Sequence, residues 1–321
     1  MSEPTNLFGA IVFWLYIIFA LFFTFLAIDS ILKLPNSVPR KHVATLTALA
    51  FISFSTLSFN MLHVLFDSYS TWSGRQVSPL SISPSSIWQW SITSTLFRNF
   101  GEAIVQDEAR FLWTQSALMA TMSVSIFMGA EGLRNRVPRL WAFFALSQIL
   151  PISFAQNLFH IALLRSPHFN ERADVVLPQT STLGVLVTYC ICLLVAPYTA
   201  NGPYLMPTIL AARLLLFVPS FLSQHPEHEK GRSSTGKTTY FNHHQAHIAV
   251  ATFAAVMTGK QVILIAQQGF GVSQVLTAMV SHPAVTSLGF DFLVTAVSFA
   301  AWTLIQGHSG RSLSSQLKIK E

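Results

Sequence analysis

Charge is what this sequence has least of. Only 10% of its 321 residues are Asp, Glu, Lys or Arg and 51% are hydrophobic, whereas an average soluble domain is roughly 25% charged. That deficit excludes an ordinary soluble chain and predicts a membrane protein. Cysteine is scarce as well. Cys190 and Cys192 stand two positions apart in an apolar run, where helical side chains point away from each other, so no disulfide framework is expected. No N-x-[ST] sequon occurs, so one common mark of a large lumenal loop is missing. The net charge of +6 is modest for this length, and its cations lie in short clusters beside apolar runs. That is membrane-flank charge, not a nucleic-acid footprint.

What the chain does have is apolar length. A spanning helix needs about 20 mostly apolar residues, and eight stretches qualify or nearly qualify: 7–32, 43–67, 110–130, 140–164, 182–200, 204–223, 247–267 and 286–306. The first has no basic residue before it and is too long for a signal-peptide core, so a retained span is expected and secretion is not. Segment 85–107 mixes Trp88, Trp90, Leu96, Phe97 and Phe100 with polar residues, the pattern of a helix lying in the interface. The expected fold is therefore all-α: one polytopic membrane helix bundle over 1–321, about eight transmembrane helices plus one interfacial amphipathic helix, with short polar tails at 1–6 and 307–321. Eight spans put both termini on one side. The loop charges divide six against eleven, which favours cytosolic termini, although the flanks of the first helix alone favour the reverse.

GRSSTGKT, 231–238, fits the phosphate-loop pattern G-x-x-x-x-G-K-[ST] at every fixed position. A working phosphate loop joins a strand to a helix in a βαβ unit. This stretch lies between two apolar runs, with the polar HPEHEK before it and no strand pattern around it. A solvated linker is expected here, and no nucleotide partner.

Ionisable residues inside a bilayer are expensive, so they are the first place to look for chemistry. Asn60, His63 and Asp67 fall at i, i+3 and i+7 on one face near the end of the second run. The third run opens with Gln106, Asp107, Glu108, Arg110 and Trp113. The fourth carries Gln156, Asn157 and His160 in its last turns. With strictly alternating spans these three ends meet at one leaflet, joined there by His243, His244 and His247 and by Gln306 and His308. One polar, acidic and aromatic pocket is the expectation. Blander roles stay open for each set: a charged helix start, or interhelical hydrogen bonds that only hold the bundle together. Arg213 and Lys260 are buried by position, and either could pair with an acid or hold an acidic or phenolic ligand. Asp29, Glu131 and Asp291 are expected near helix ends at the opposite leaflet, snorkelling or paired with those cations. His225, His228, His243, His244 and His247 crowd the loop before the seventh run, but no H-E-x-x-H arrangement accompanies them. No metal or other cofactor is expected.

At RLWAFFALSQILPISFAQNLF, 139–159, together with FNMLHVLFD and QDEARFLWTQ, the chain resembles the small integral-membrane terpene cyclases of fungal meroterpenoid pathways, of the ascofuranone and macrophorin kind. The resemblance is one of span layout and short runs. It implies metal-free, acid-started cyclisation of a prenyl chain attached to an aromatic or quinone-like head, in a membrane expected to be the endoplasmic reticulum, beside other enzymes of the same pathway. Neither a D-D-x-x-D cluster nor a D-x-D-D motif is present to ionise a diphosphate. The local reading makes Asp107 or Glu108 the first choice of proton donor and Asp67 with His63 the second, because the acid must be a carboxyl held and oriented by a neighbour. Asn60, Arg110, Trp113, Gln156, Asn157 and His160 are the expected substrate contacts. Trp113, Phe111, Phe159 and Phe66 are the nearest of the 27 Phe and 7 Trp that offer aromatic faces to a cation. A small-molecule transporter, a receptor or structural membrane protein, and a His-box metal-dependent membrane oxidase remain as alternatives.

Overall fold

The computed structural model describes residues 6–35, 38–74, 83–94, 98–167, 177–199, 204–218, 240–241 and 243–318. In chain order its helices are α1 (Leu7–Leu32), α2 (Arg40–Ser73), α3 (Pro84–Thr93), α4 (Arg98–Ile104), α5 (Glu108–Arg134), α6 (Leu140–Ile149), α7 (Ile152–Arg165), α8 (Gln179–Val195), α9 (Leu205–Leu215), α10 (His243–Gln267), α11 (Val272–Val280) and α12 (Pro283–Lys318). The two-residue strands β1 (Leu177–Pro178) and β2 (Tyr240–Phe241) pair antiparallel and tie the starts of α8 and α10 together.

Local signals set the ends of these helices. Asn6 caps α1 by accepting from the Gly9 amide at 3.1 Å, and Asp107 caps α5 by accepting from Arg110 N at 2.8 Å. Gly74 closes α2 in the left-handed conformation at φ 63°, a region open to glycine without strain.

Among the described residues, six helices are long and apolar enough to cross a membrane: Leu7–Leu32, Arg40–Ser73, Glu108–Arg134, Gln179–Thr199, Gln245–Gln267 and Pro283–Gln306. The third is the hub, with 72% of its apolar window buried inside the bundle against 17–39% for the others. The outer helices turn Phe25, Phe59, Val256 and Leu304 outward, each at least 65% exposed. An apolar belt of that kind suits hydrocarbon and not water.

The expected fourth span, 140–164, is a hairpin. Pro151 has no amide hydrogen and breaks the run into α6 and α7, roughly 15 and 21 Å long at 1.5 Å per residue. Each is too short for a core of about 30 Å. Both outer ends return to the same face. Ser30 Oγ donates to Pro138 O at 2.7 Å and Arg139 pairs with Asp29 at 2.5 Å at the start of α6; Ser166 Oγ donates to Asn135 O at 2.6 Å just after α7. The tip lies in mid-bundle, where Tyr16 Oη donates to Ile149 O at 2.6 Å and Ser53 Oγ meets Ser153 Oγ at 2.5 Å.

Every later helix is thereby inverted relative to strict alternation. α10 runs antiparallel to α5: Gln261, toward its end, bonds Glu108 at the start of α5, and His247, near its beginning, packs on Phe127. α8 begins beside α10 and ends with Ala196 against Phe111 and Ile104, so it too runs toward the start of α5. α9 leaves from that end, with Leu205 in the same apolar cluster, and reaches mid-bundle at Arg213. Its helix is Leu205–Leu215, and 219–223 of the expected 204–223 run lie outside the described residues. The first helix starts and the last ends at opposite faces, not one. α12 continues as helix to Lys318 where a polar tail is expected, and the 85–107 interfacial segment is two helices, α3 and α4.

The two faces differ in charge. One holds the ends of α2, α8 and α10 and the starts of α1, α5 and α12; among the described side chains its cations are Arg110 and Lys260. The opposite, basic face holds Lys33, Arg40, Lys41, Arg134, Arg136, Arg139 and Arg165.

Asp291 lies nine residues into α12 and not at its end. It is half-buried, and it accepts from Ile152 N and Ser153 N at 2.9 Å each and from Ser153 Oγ at 2.5 Å. Arg213 supplies the opposite charge to the other half-helix, donating to Ser147 O at 2.7 Å and Gln148 Oε1 at 3.2 Å. Asp29 and Glu131 do pair at the basic face, with Lys33 and Arg139 and with Arg134 respectively. Removing the Asp291 carboxyl leaves two amides inside the bundle without that acceptor, at about 1–3 kcal/mol each, while Ser153 Oγ keeps its contact with Ser53 Oγ. Asp291→Ala is therefore expected to lose monodispersity and thermal midpoint in detergent. Asp291→Asn, which keeps one acceptor oxygen, is expected to fall between it and wild type.

Candidate functional site

Half of the residues expected to meet lie at one face. At the face where α2 ends and α5 begins, His63 and Asp67 stand exposed on the last turns of α2, and Asp107, Glu108, Arg110 and Trp113 occupy the first two turns of α5. Asp107 is engaged twice, as the cap of α5 and as the partner of Arg110 at 3.3 Å, and its side chain is 36% exposed. The Arg110 guanidinium also contacts Gln106 Oε1.

Glu108 sits differently. It is half-buried, and Gln261 of α10 donates through one amide nitrogen to its carboxyl Oε2 at 2.5 Å and to its backbone carbonyl at 2.9 Å. Trp113 points to the other side, where its Nε1 donates to Val275 O of α11 at 2.8 Å. Gly289 of α12 lets this corner close, because a Cβ there would stand 2.5 Å from Met279 Cγ.

Two members of this site were not expected from the sequence. Gln261 is a lone amide in an apolar run, next to Lys260, and periodicity assigns it no partner. His282 lies in the turn before α12, within electrostatic reach of Arg110, Asp67 and His63. Burial, with the Arg110 guanidinium adding to it, holds its imidazole below the ordinary 6.5, although Asp67 pulls the other way. It is therefore neutral at neutral pH. Its Nδ1 accepts from Ala284 N at 3.1 Å, which leaves the ring proton on Nε2.

The other half lies elsewhere. Gln156, Asn157 and His160 ride on α7, which turns back at Pro151 instead of crossing, and all three are fully buried in the half of the bundle toward the basic face. His160 stacks flat on Trp302 at 4.4 Å and 11°, with the edges of Phe127 and Phe299 at 5.6 and 5.9 Å. Asn157 Nδ2 donates to Ser298 Oγ at 2.7 Å and Ser153 O at 2.8 Å. Both ring nitrogens of His160 and both amide atoms of Gln156 are buried without a hydrogen-bond partner. Phe127, which touches His160, and Glu108 are roughly 28 Å apart along α5 at 1.5 Å per residue. Phe159 belongs to this inner group too, against Phe127 and Phe143. Asn60 falls between, two turns beyond Ser53 on α2, its amide donating to Thr56 O at 2.8 Å.

The histidines expected to join the pocket do not. His247 packs on Phe127 toward the basic face, and α12 carries Gln306 and His308 to that face as well. The side chains of His243, His244 and His308 lie outside the described residues, as do His225, His228 and the 231–238 stretch.

Capping separates the two adjacent acids chemically. Asn caps a helix as well as Asp does, and loss of a cap costs about 1 kcal/mol. Asp107→Asn is expected to unfold with wild type in a thermal scan of detergent-solubilised protein, and Asp107→Ala about 1 kcal/mol earlier. No protein-family model matches the chain, and no curated protein or solved structure matches it.

Proposed function

We propose that the protein is an integral-membrane cyclase that draws a prenylated aromatic amphiphile from the bilayer and closes its chain by protonating an epoxide or alkene, with Glu108 as the acid. The supporting observation is the Glu108–Gln261 contact, which ties a half-buried carboxyl at the mouth of the bundle to a second helix. The other acids nearby are less suited. Asp107 is committed to capping and to Arg110, Asp67 is exposed, and the Asp291 carboxyl is occupied by three hydrogen bonds from Ile152 and Ser153.

In this reading the carboxyl proton passes to the epoxide oxygen or alkene carbon. The carbocation so formed is captured by the next double bond, and a final proton loss regenerates the acid. Atoms balance, and the net reaction is an isomerisation. Arg110 and His282 face a polar head, while Phe111, three residues on from Glu108 along α5, supplies a face to positive charge. Turnover by Glu108→Gln, measured as ring formation on a prenylated phenol epoxide in microsomes, should fall at least 10²-fold, the usual worth of a positioned acid, with membrane yield unchanged. Near wild-type rates in that variant would remove the acid assignment. Wild type that turns over no such substrate removes the cyclase reading itself.

A second reading, a carrier for a small polar solute, is favoured by one observation: a hairpin ending in mid-bundle beside the unpartnered Gln156 and His160. Carriers place sites at such broken helices. Saturable uptake into proteoliposomes, lost in Gln156→Leu with His160→Phe and kept in Glu108→Gln, would select it over cyclisation.

A further inference from the structure

The basic face carries a groove that neither reading uses. It measures about 590 Å³ and runs between the start of α2 and the end of α7. Its wall is apolar, formed by Val38, Val43, Ala44, Ala48 and Phe51, with Thr47 among them, and two guanidiniums, Arg40 and Arg165, stand in it. Among the described residues no acidic side chain lines it.

Three features give this groove a charge preference. Arg165 Nε is buried without a hydrogen-bond partner, and the one contact of its Nη1, to Ile31 O, is long at 3.4 Å. α2 opens into the groove with Pro39 at its cap position, no side chain capping its first amides and no acid in its first turn. Helix starts of that kind favour anions. The surrounding face holds seven cations among the described side chains against two at the other, an excess that the positive-inside rule associates with the cytosolic side. Anionic lipids concentrate in that leaflet.

We propose that this groove binds one anionic phospholipid, its phosphate between Arg40, Arg165 and the first turn of α2, and an acyl chain along Val43, Ala44, Ala48 and Phe51. A neutral-headed lipid gains only the apolar wall. A phosphate without a chain gains only the arginines. The site stands whatever reaction the opposite face performs.

The test is native mass spectrometry of the full chain released from nanodiscs of equal phosphatidylglycerol and phosphatidylcholine. Wild type should retain one phosphatidylglycerol in preference to phosphatidylcholine. Arg40→Gln with Arg165→Gln should lower that preference about fivefold for each arginine removed, whereas Lys33→Gln, on the same face but outside the groove, should leave it unchanged. Ala48→Trp, which fills the groove and keeps both arginines, should abolish retention and decides the matter where the double variant does not fold. Equal retention of the two lipids by wild type overturns the proposal. So does undiminished phosphatidylglycerol in a folded double variant, equal loss in Lys33→Gln, or displacement of the lipid by inorganic phosphate alone.

Discussion

A helix that ends inside a bilayer must find partners for its terminal amides and carbonyls, since no water is there to take them. The α6–α7 hairpin meets this demand with two charges drawn from distant parts of the chain. Asp291 of α12 takes the first amides of α7, and Arg213 of α9 takes a late carbonyl of α6. Each charge also matches the dipole of the helix end it meets, negative at an N-terminus and positive at a C-terminus. Arg213 acts electrostatically on Asp291 as well, so two ions that would each be costly alone offset one another. Four segments are fixed by this pair, and the tip cannot extend into a span without stripping the acceptors from α7.

Topology follows from that hairpin, and it marks where sequence reading runs out. Apolar length locates the starts of α1, α2, α5, α8, α10 and α12 within a few residues, because a bilayer demands length and apolarity from each. It cannot distinguish a 24-residue span from two short helices folded back, since both bury the same composition. Pro151 is the visible hint, and proline also occurs within true membrane spans. Once the fourth run is taken as a crossing, every later helix is read upside down. His247 then moves to the wrong face, and Asp291, counted from the end of its run, is placed at a leaflet edge instead of mid-bundle.

The candidate site divides along the same line. Asp67, Asp107, Glu108, Arg110 and Trp113 were legible together because α2 and α5 lie before the hairpin, where alternation still holds. Gln156, Asn157 and His160 were grouped with them only through the inverted geometry. Gln261 and His282 could not be seen, because what gives them meaning is contact between helices distant in sequence, Gln261 with Glu108 and His282 with Arg110. Asp107 and Glu108 show the limit most sharply. Adjacent and alike in the sequence, they point to different neighbours on a helix, and one becomes a cap while the other reaches a second helix.

Acid catalysis in a membrane faces two opposed demands, a dry surrounding for the carbocation and a supply of protons from water. A carboxyl in mid-bundle meets the first and fails the second: the Asp291 carboxyl is held among Ile152, Ser153 and α12. A carboxyl on an exposed turn, such as Asp67, has water and no shelter. Glu108 stands at the boundary, with the polar Gln106, Asp107 and Arg110 on its aqueous side and the buried Ala109 and Phe111 beside it in sequence. Gln261 holds its carboxyl by one oxygen from the inner side, which orients the group without enclosing it. Under the proposed cyclisation, a prenyl chain arriving through the lipid and a proton arriving from the aqueous edge would meet only at such a boundary, and this requirement, more than burial alone, is the reason Glu108 is proposed as the acid.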